Sequence, residues 1–281
     1  MHLPLRDSDL QRMDGAARVG VTGGGGRTFL ADLYQRAPGK ALLPRIDGQD
    51  CREVVFLNTA GGVAGGDRLR YAIAASGAAT ITATTQAAEK IYRAIGEPGR
   101  LATRIEARDT ATLEWLPQET IVFEGGRLQR DTEIHAASTA RVLAMDWLVL
   151  GRAASGETLC TGEIRDNWRV FRDGRLIWAD AFRLQGDIAD LMRRPALLAG
   201  STALATILYA AADAAAHLDR ARALLAELGC KVGATVLSGL LICRFAAEAA
   251  SALRKAVIHF LQVFRMDLGG LSPSLPRVWT C

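Results

Sequence analysis

A chain of 281 residues is long enough for one large domain or two small ones and can bury a sizeable core. Apolar residues make up 49% of it, and the formal net charge is only +4. The basic residues form no long run, so neither nucleic acid nor a membrane surface has an electrostatic signature here.

The first nine residues carry early acids and no apolar stretch, which predicts that they are not a signal peptide. Residues 1–26 read as a loosely held N-terminal segment of a single domain covering residues 1–281. Gly23 to Gly26 suit a hairpin turn between residues 17–21 and 28–31, and their backbone freedom predicts local mobility. Five dispersed cysteines (Cys51, Cys160, Cys230, Cys243, Cys281) show no C-x-x-C spacing, which predicts reduced thiols and a cytoplasmic location.

A glycine-rich block follows at residues 58–67, N-T-A-G-G-V-A-G-G-D. Gly61 and Gly66 have the spacing of a P-loop, but Asp67-Arg68 stands where Lys-Ser/Thr should reach the phosphates. A dinucleotide fingerprint needs a helix next, whereas Leu69, Tyr71 and Ile73 alternate like a strand. Nucleotide binding through this loop therefore stays a minor alternative beside a plain glycine-rich turn.

Between residues 53 and 182 the hydrophobic period is two, with short strands separated by Gly, Asp or Pro. Asp173-Gly174 marks the clearest hairpin, between residues 167–172 and 175–178. No βαβ alternation and no repeat of fixed length appear. Residues 196–216 are alanine-rich but carry Asp213, which predicts a buried helix of a non-membrane protein. A first helix is predicted over residues 202–228, strands over 231–245, and a second helix over 250–268 with Leu253, Val257, Phe260, Leu261 and Phe264 on one face. The fold class is thus mainly β with two late helices.

An enzyme would need a nucleophile, a base and an orienting group, and no such constellation is readable; G-x-S-x-G is absent. No Cys/His cluster has metal-ligand spacing. Two aspartates inside apolar strands are more informative: Asp146 within V-L-A-M-D-W-L-V-L and Asp180 within L-I-W-A-D-A-F. Each either points to solvent, pairs with an arginine, or lines a wet interior through which oxygen donors pass a divalent cation. Asp67 is the third candidate donor.

Several blocks together resemble the urease accessory protein UreD (UreH) family along most of the chain. They are residues 58–67, with Asn58, Thr59, Gly61, Gly62, Gly65, Gly66 and Asp67; and T-T-Q-A-A-E-K-I-Y-R at 84–93, with Thr84, Thr85, Gln86, Glu89, Lys90 and Tyr92. L-P-Q-E-T-I-V-F at 116–123 supplies Pro117, Gln118 and Glu119, and L-G-R-A-A-S-G-E at 150–157 supplies Gly151, Arg152, Gly156 and Glu157. L-P-R-V-W closes the series at 275–279, while Val63-Ala64 and Ala94 are small departures from commoner residues.

The resemblance implies an elongated, β-helix-like stack of sheets carrying two helices in the C-terminal third. It implies a non-enzymatic scaffold and metallochaperone that bridges apo-urease to UreF and, through UreF, to the GTPase UreG. Nickel would pass transiently, with no tightly bound cofactor and no nucleic-acid or membrane partner. A purely structural adaptor with no metal path is the alternative, and Asp67, Asp146 and Asp180 discriminate between the two.

Overall fold

The structure is a computed structural model that describes residues 12–44, 52–269, 271–272 and 274–279. Strands account for 54% of it and helix for 16%. In chain order the first strands are β1 (Asp14–Gly24), β2 (Arg27–Arg36), β3 (Gly39–Leu42), β4 (Glu53–Asn58), β5 (Arg68–Gly77) and β6 (Thr80–Thr85). There follow β7 (Glu89–Ile91), β8 (Gly99–Ala107), β9 (Thr112–Leu116), β10 (Thr120–Val122), β11 (Arg127–Ala136) and β12 (Arg141–Leu150). The last are β13 (Thr161–Arg172), β14 (Arg175–Asp187), β15 (Ala203–Ala210), β16 (Lys231–Leu237) and β17 (Leu240–Ala247). The helices are the short α1 (Ile188–Arg193), α2 (Leu218–Ala226) and α3 (Ala250–Asp267).

Two sheets face each other. The first has the order β14-β13-β11-β8-β5-β1-β2, and the second runs β16-β17-β15-β12-β9-β6-β4-β3. From β4 to β13 the long strands alternate between the sheets, and each lies parallel to the one a full coil earlier. That is a β-solenoid-like stack. Arg68 pairs with Arg100, but Leu128 pairs with Gly99 on one side and Ile164 on the other, so the coils differ in length. Unequal coils leave no fixed period to be seen in the sequence.

Strand alternation fills the space between the sheets. Leu69, Ile73, Ile105, Ile134 and Val170 from one face Val54, Phe56, Ile81, Leu113 and Trp115 from the other. Phe56 contacts Tyr71 at 5.0 Å and Trp115 at 5.8 Å between ring centroids. Burying each such side chain stabilises the fold by about 1.5–3 kcal/mol.

The second sheet is covered on its other face as well. Leu143, Met145, Trp147, Ile207, Tyr209 and Phe245 pack against Leu253, Val257, Phe260 and Phe264 of α3. Burial on both faces explains why β12 is apolar from Val142 to Leu150 except at Asp146. Arg265 of α3 reaches the fully buried Glu114 of β9 with two contacts, 2.6 and 2.7 Å. Trp279 then stacks on Trp147 at 5.5 Å, closing the C-terminal segment over the sheet.

The Asp173-Gly174 hairpin, the strands after residue 231 and the last helix lie where the sequence predicts them. The alanine-rich segment does not. Residues 203–210 form β15, paired antiparallel to β12 and β17; a 3-10 turn follows at Ala214–His217, and α-helix starts only at Leu218. Alanine's helix preference is worth only a few tenths of a kcal/mol per residue. Two edges of backbone pairing and burial on both faces outweigh it. The looseness expected of residues 1–26 does not extend to β1, which is paired with β2 and β5; the glycine run turns at Gly25 and Gly26, and residues 1–11 lie outside the described residues. Cys160, Cys230 and Cys243 are free, while Cys51 and Cys281 lie outside the described residues. Among the described residues, no helix is long and apolar enough to cross a membrane.

Replacing Arg265 with Met is expected to leave the Glu114 carboxylate buried without its cation. The loss should be about 3–5 kcal/mol, read as a lower urea midpoint with an unchanged slope.

Candidate functional site

The coil corners that carry the chain from the second sheet to the first lie on one edge of the stack. Val63 pairs with Ile91, Ile91 with Val122, and Val122 with Leu150, giving a buried ladder through four successive corners. The sequence blocks around residues 58–67, 84–93, 116–123 and 150–157 all fall at this edge, far apart in sequence and stacked in space. Asn58 donates to Gly62 O at 3.0 Å and to Glu89 Oε1 at 3.1 Å, tying the first corner to the second. The Tyr92 hydroxyl donates to Gly61 O, and its ring lies so near Gly62 that a Cβ there would meet it at 2.3 Å. Lys90 O accepts from Val63 N.

The next corners continue the pattern. Thr85 Oγ1 accepts from Gln118 N, and Thr84 donates to Leu116 O. Gln118 donates to Val278 O, and Glu119 takes Arg254 of α3 at 2.9 Å. Pro117 O accepts from Trp147 Nε1 at 3.0 Å. Gln86 N donates to Phe56 O. Arg152 pairs with Glu157 across the last corner, where Gly156 has φ 72° and Gly151 N donates to Val122 O.

This edge is not a phosphate cradle. Gly61 N donates to Asn58 O, Val63 N to Lys90 O, Ala64 N to Asp67 Oδ2 and Gly66 N to Pro98 O, so most loop amides are spent within the fold. The loop enters strand β5, not a helix. Asp67 accepts from Met13 N at 2.9 Å and Ala64 N at 2.8 Å, which makes it the clasp of the loop. A cleft of about 130 Å³ beside Asn58, Thr85 and Gln86 holds Glu89, whose carboxyl is pushed up to about 7 by desolvation against its bond from Asn58.

A larger cavity, about 420 Å³, lies between the sheets near β13, β14, β15 and β17. Asp146 and Asp180 both line it, together with Asp166, Arg130, Lys231 and Arg244. Asp67 does not. In the buried part, Arg130 grips Asp166 with Nε at 2.9 Å and Nη2 at 2.6 Å, and its Nη1 reaches Asp146 at 3.2 Å. Thr132 also donates to Asp146, at 3.1 Å. Nearer the surface, Arg244 bridges to Asp180 at 2.6 Å, and Lys231 donates to Ala199 O. The lining is therefore charge-balanced, three acids against three bases, so the arginine pairing that the sequence offered as one option holds for Asp146 and Asp180. Asp146 and Asp180 are each both arginine-paired and cavity-facing, whereas Asp67 lies outside the cavity and is held by backbone amides.

Two carboxylates share one guanidinium in the buried part. The two-point grip favours Asp166, and Asp146 keeps a single long contact. Desolvation pushes Asp146 up to about 6, opposed by Arg130 and reinforced by Asp166. Asp146 is thus the less committed of the two carboxylates on Arg130. Among the described residues, no group of three or more His, Cys, Asp or Glu is placed to hold a metal ion. Arg130 and Asp166 were missed in sequence because they stand in polar surroundings. The available signal was parity: Arg130 shares the inward face of β11 with Leu128 and Ile134, and Asp166 that of β13 with Ile164 and Trp168.

Replacing Arg130 with Met should leave two acids buried without a cation and cost about 3–5 kcal/mol in chemical denaturation. Asp146→Asn removes the surplus negative charge and leaves Arg130–Asp166 intact, so its cost near neutral pH should stay within about 1 kcal/mol. The pH dependence separates these further. The folded value of Asp146 lies above its ordinary 3.8, so between that value and about 6 the native state binds the extra proton. Wild-type stability therefore falls as pH rises through this window, and Asp146→Asn should flatten that fall. Denaturation midpoints measured at intervals across the window check this.

The family model described as UreD urease accessory protein matches residues 13–280. The urease accessory protein UreD of Xanthobacter autotrophicus is 44% identical over 269 residues, covering 96% of this chain and 90% of that protein. The one from Azorhizobium caulinodans is 40% identical over 269 residues, covering 96% and 97% respectively. The one from Magnetococcus marinus is 36% identical over 282 residues, covering 99% and 97%. Matched by its family model over nearly its whole length, and by relatives across almost all of theirs, this chain belongs to the UreD urease accessory protein family.

Proposed function

We propose that this chain acts in urease maturation as a non-catalytic scaffold in the cytoplasm, bridging apo-urease to UreF and through UreF to UreG, and that it passes nickel toward the urease active site. The observation that carries the nickel part is the cavity between the sheets, where Asp146 and Asp180 share one space. Hard oxygen donors suit a divalent cation, and pairing with arginines keeps them from trapping it. Asp146 exchanges more readily than Asp166, since their shared arginine is gripped at two points by Asp166. Nickel is cargo in this reading, held transiently and released. Asp67 lies outside the cavity, and its place on the path would be next to the glycine corner it clasps.

Co-expression of Asp146→Asn with a urease operon tests the reading. The expected result is a complex that still assembles in pull-down, with urease nickel content and activity reduced several-fold. Asp180→Asn is expected to act likewise, and Asp67→Asn tests the third donor. Normal nickel loading in all three variants would leave a structural adaptor without a metal path.

A further inference from the structure

The outer face of the first sheet carries a groove of about 650 Å³ that runs across its parallel strands, on the side away from the core. Its floor is made of small residues: Ala16 on β1, Ala72 on β5 and Ala102 on β8. Four arginines, Arg18, Arg70, Arg104 and Arg169, line it against two carboxylates, Asp131 and Glu133. Register places Ala72 beside Arg104, Arg104 beside Glu133, and Glu133 beside Arg169, in one row across four strands. The neighbouring row places Ala16 beside Arg70 and Arg70 beside Ala102.

Arg18 is held by Asp32 at 2.7 Å and Arg70 by Asp14, so the arginines that the fold leaves open are Arg104 and Arg169. Glu133 stands 3.6 Å from Arg104 and 3.8 Å from Arg169, too far for a hydrogen bond to either. Among the described residues, neither guanidinium donates a hydrogen bond, although each carries five donors. Their side chains are 53% and 48% exposed. Arg18, paired with Asp32, lies over the Tyr34 ring at 5.6 Å and closes the groove's end.

We propose that this groove docks an acidic polypeptide segment of a partner protein, whose carboxylates take the open forks of Arg104 and Arg169 while its backbone lies on the alanine floor. Charge complementarity chooses the occupant. Planar guanidinium forks with free donors match carboxylates two-point fashion. The two acids inside the groove break the positive field, which disfavours a uniformly charged polyphosphate and suits a chain whose acids are spaced by neutral residues. The surface lies on the opposite face of the sheet from the cavity, so this inference does not rest on the nickel reading.

Fluorescence anisotropy with the full-length chain tests it, using a labelled peptide of glutamates spaced by glycines and, in competition, a DNA duplex of equal charge. The peptide is expected to bind with salt-sensitive affinity and to outcompete the duplex. The double variant Arg104→Gln/Arg169→Gln should bind the peptide at least roughly tenfold more weakly, and Arg104→Lys/Arg169→Lys should fall between. Ala102→Glu, which puts a like charge on the floor, should weaken binding with the arginines untouched. Equal peptide affinity in wild type and variants overturns the proposal, as does tighter binding of the duplex through the same arginines.

Discussion

Parallel backbone pairing between successive coils is the constraint from which the rest follows. A strand that must lie parallel to one a full coil earlier has to cross to the opposite sheet and return. In this chain the crossing is made by a corner, not by a helix. The corners are therefore forced into register with one another, and Val63, Ile91, Val122 and Leu150 become a ladder although their neighbours in sequence differ. Hydrogen bonds from Asn58 to Glu89 and from Tyr92 to Gly61 then tie one corner to the next. The blocks at residues 58–67, 84–93, 116–123 and 150–157 supply many of the contacts that make this stacking work.

The stack ends by a change of pairing. β14 folds back antiparallel on β13, and β15 lies antiparallel to β12, so the sheets stop growing by coils at that end. The sheets hold the cavity there, and it is also where the arginine–carboxylate pairs gather. Helix α3 covers the second sheet with an apolar face and reaches through it with one cation, Arg265, to a buried acid. Burying such a pair gives little net stability, but breaking it is costly. The pair fixes how the helix sits on the sheet.

The same electrostatic logic distinguishes the three places where charge meets the fold. At Glu114, one acid meets one guanidinium, and the account is closed. At Arg130, two acids compete for one guanidinium, and the less favoured, Asp146, remains able to exchange a proton. On the outer face, Arg104 and Arg169 stand 3.6 and 3.8 Å from one shared acid, Glu133, and keep free donors. Structural support, a candidate transfer site and a candidate docking surface thus differ in how completely each charge is satisfied.

Periodicity in the sequence determined the mainly β class, the Asp173-Gly174 hairpin and the amphipathic α3, because these depend on neighbours within a few residues. The glycine-rich and polar blocks, taken in order, determined the family. Asp146 and Asp180 were legible as odd acids in apolar strands. Their meeting in one cavity was not, since β12 and β14 belong to different sheets and only coil stacking sets them face to face. Arg130 and Asp166 escaped notice because a charged residue among polar neighbours looks solvent-facing until strand parity is anchored by the core. Residues 203–210 went wrong for a related reason: alanine favours helix locally, while pairing to β12 and β17 is supplied by partners distant in sequence. The sequence by itself determined what local periods and motifs encode, and tertiary structure decided which inward positions meet across the sheets.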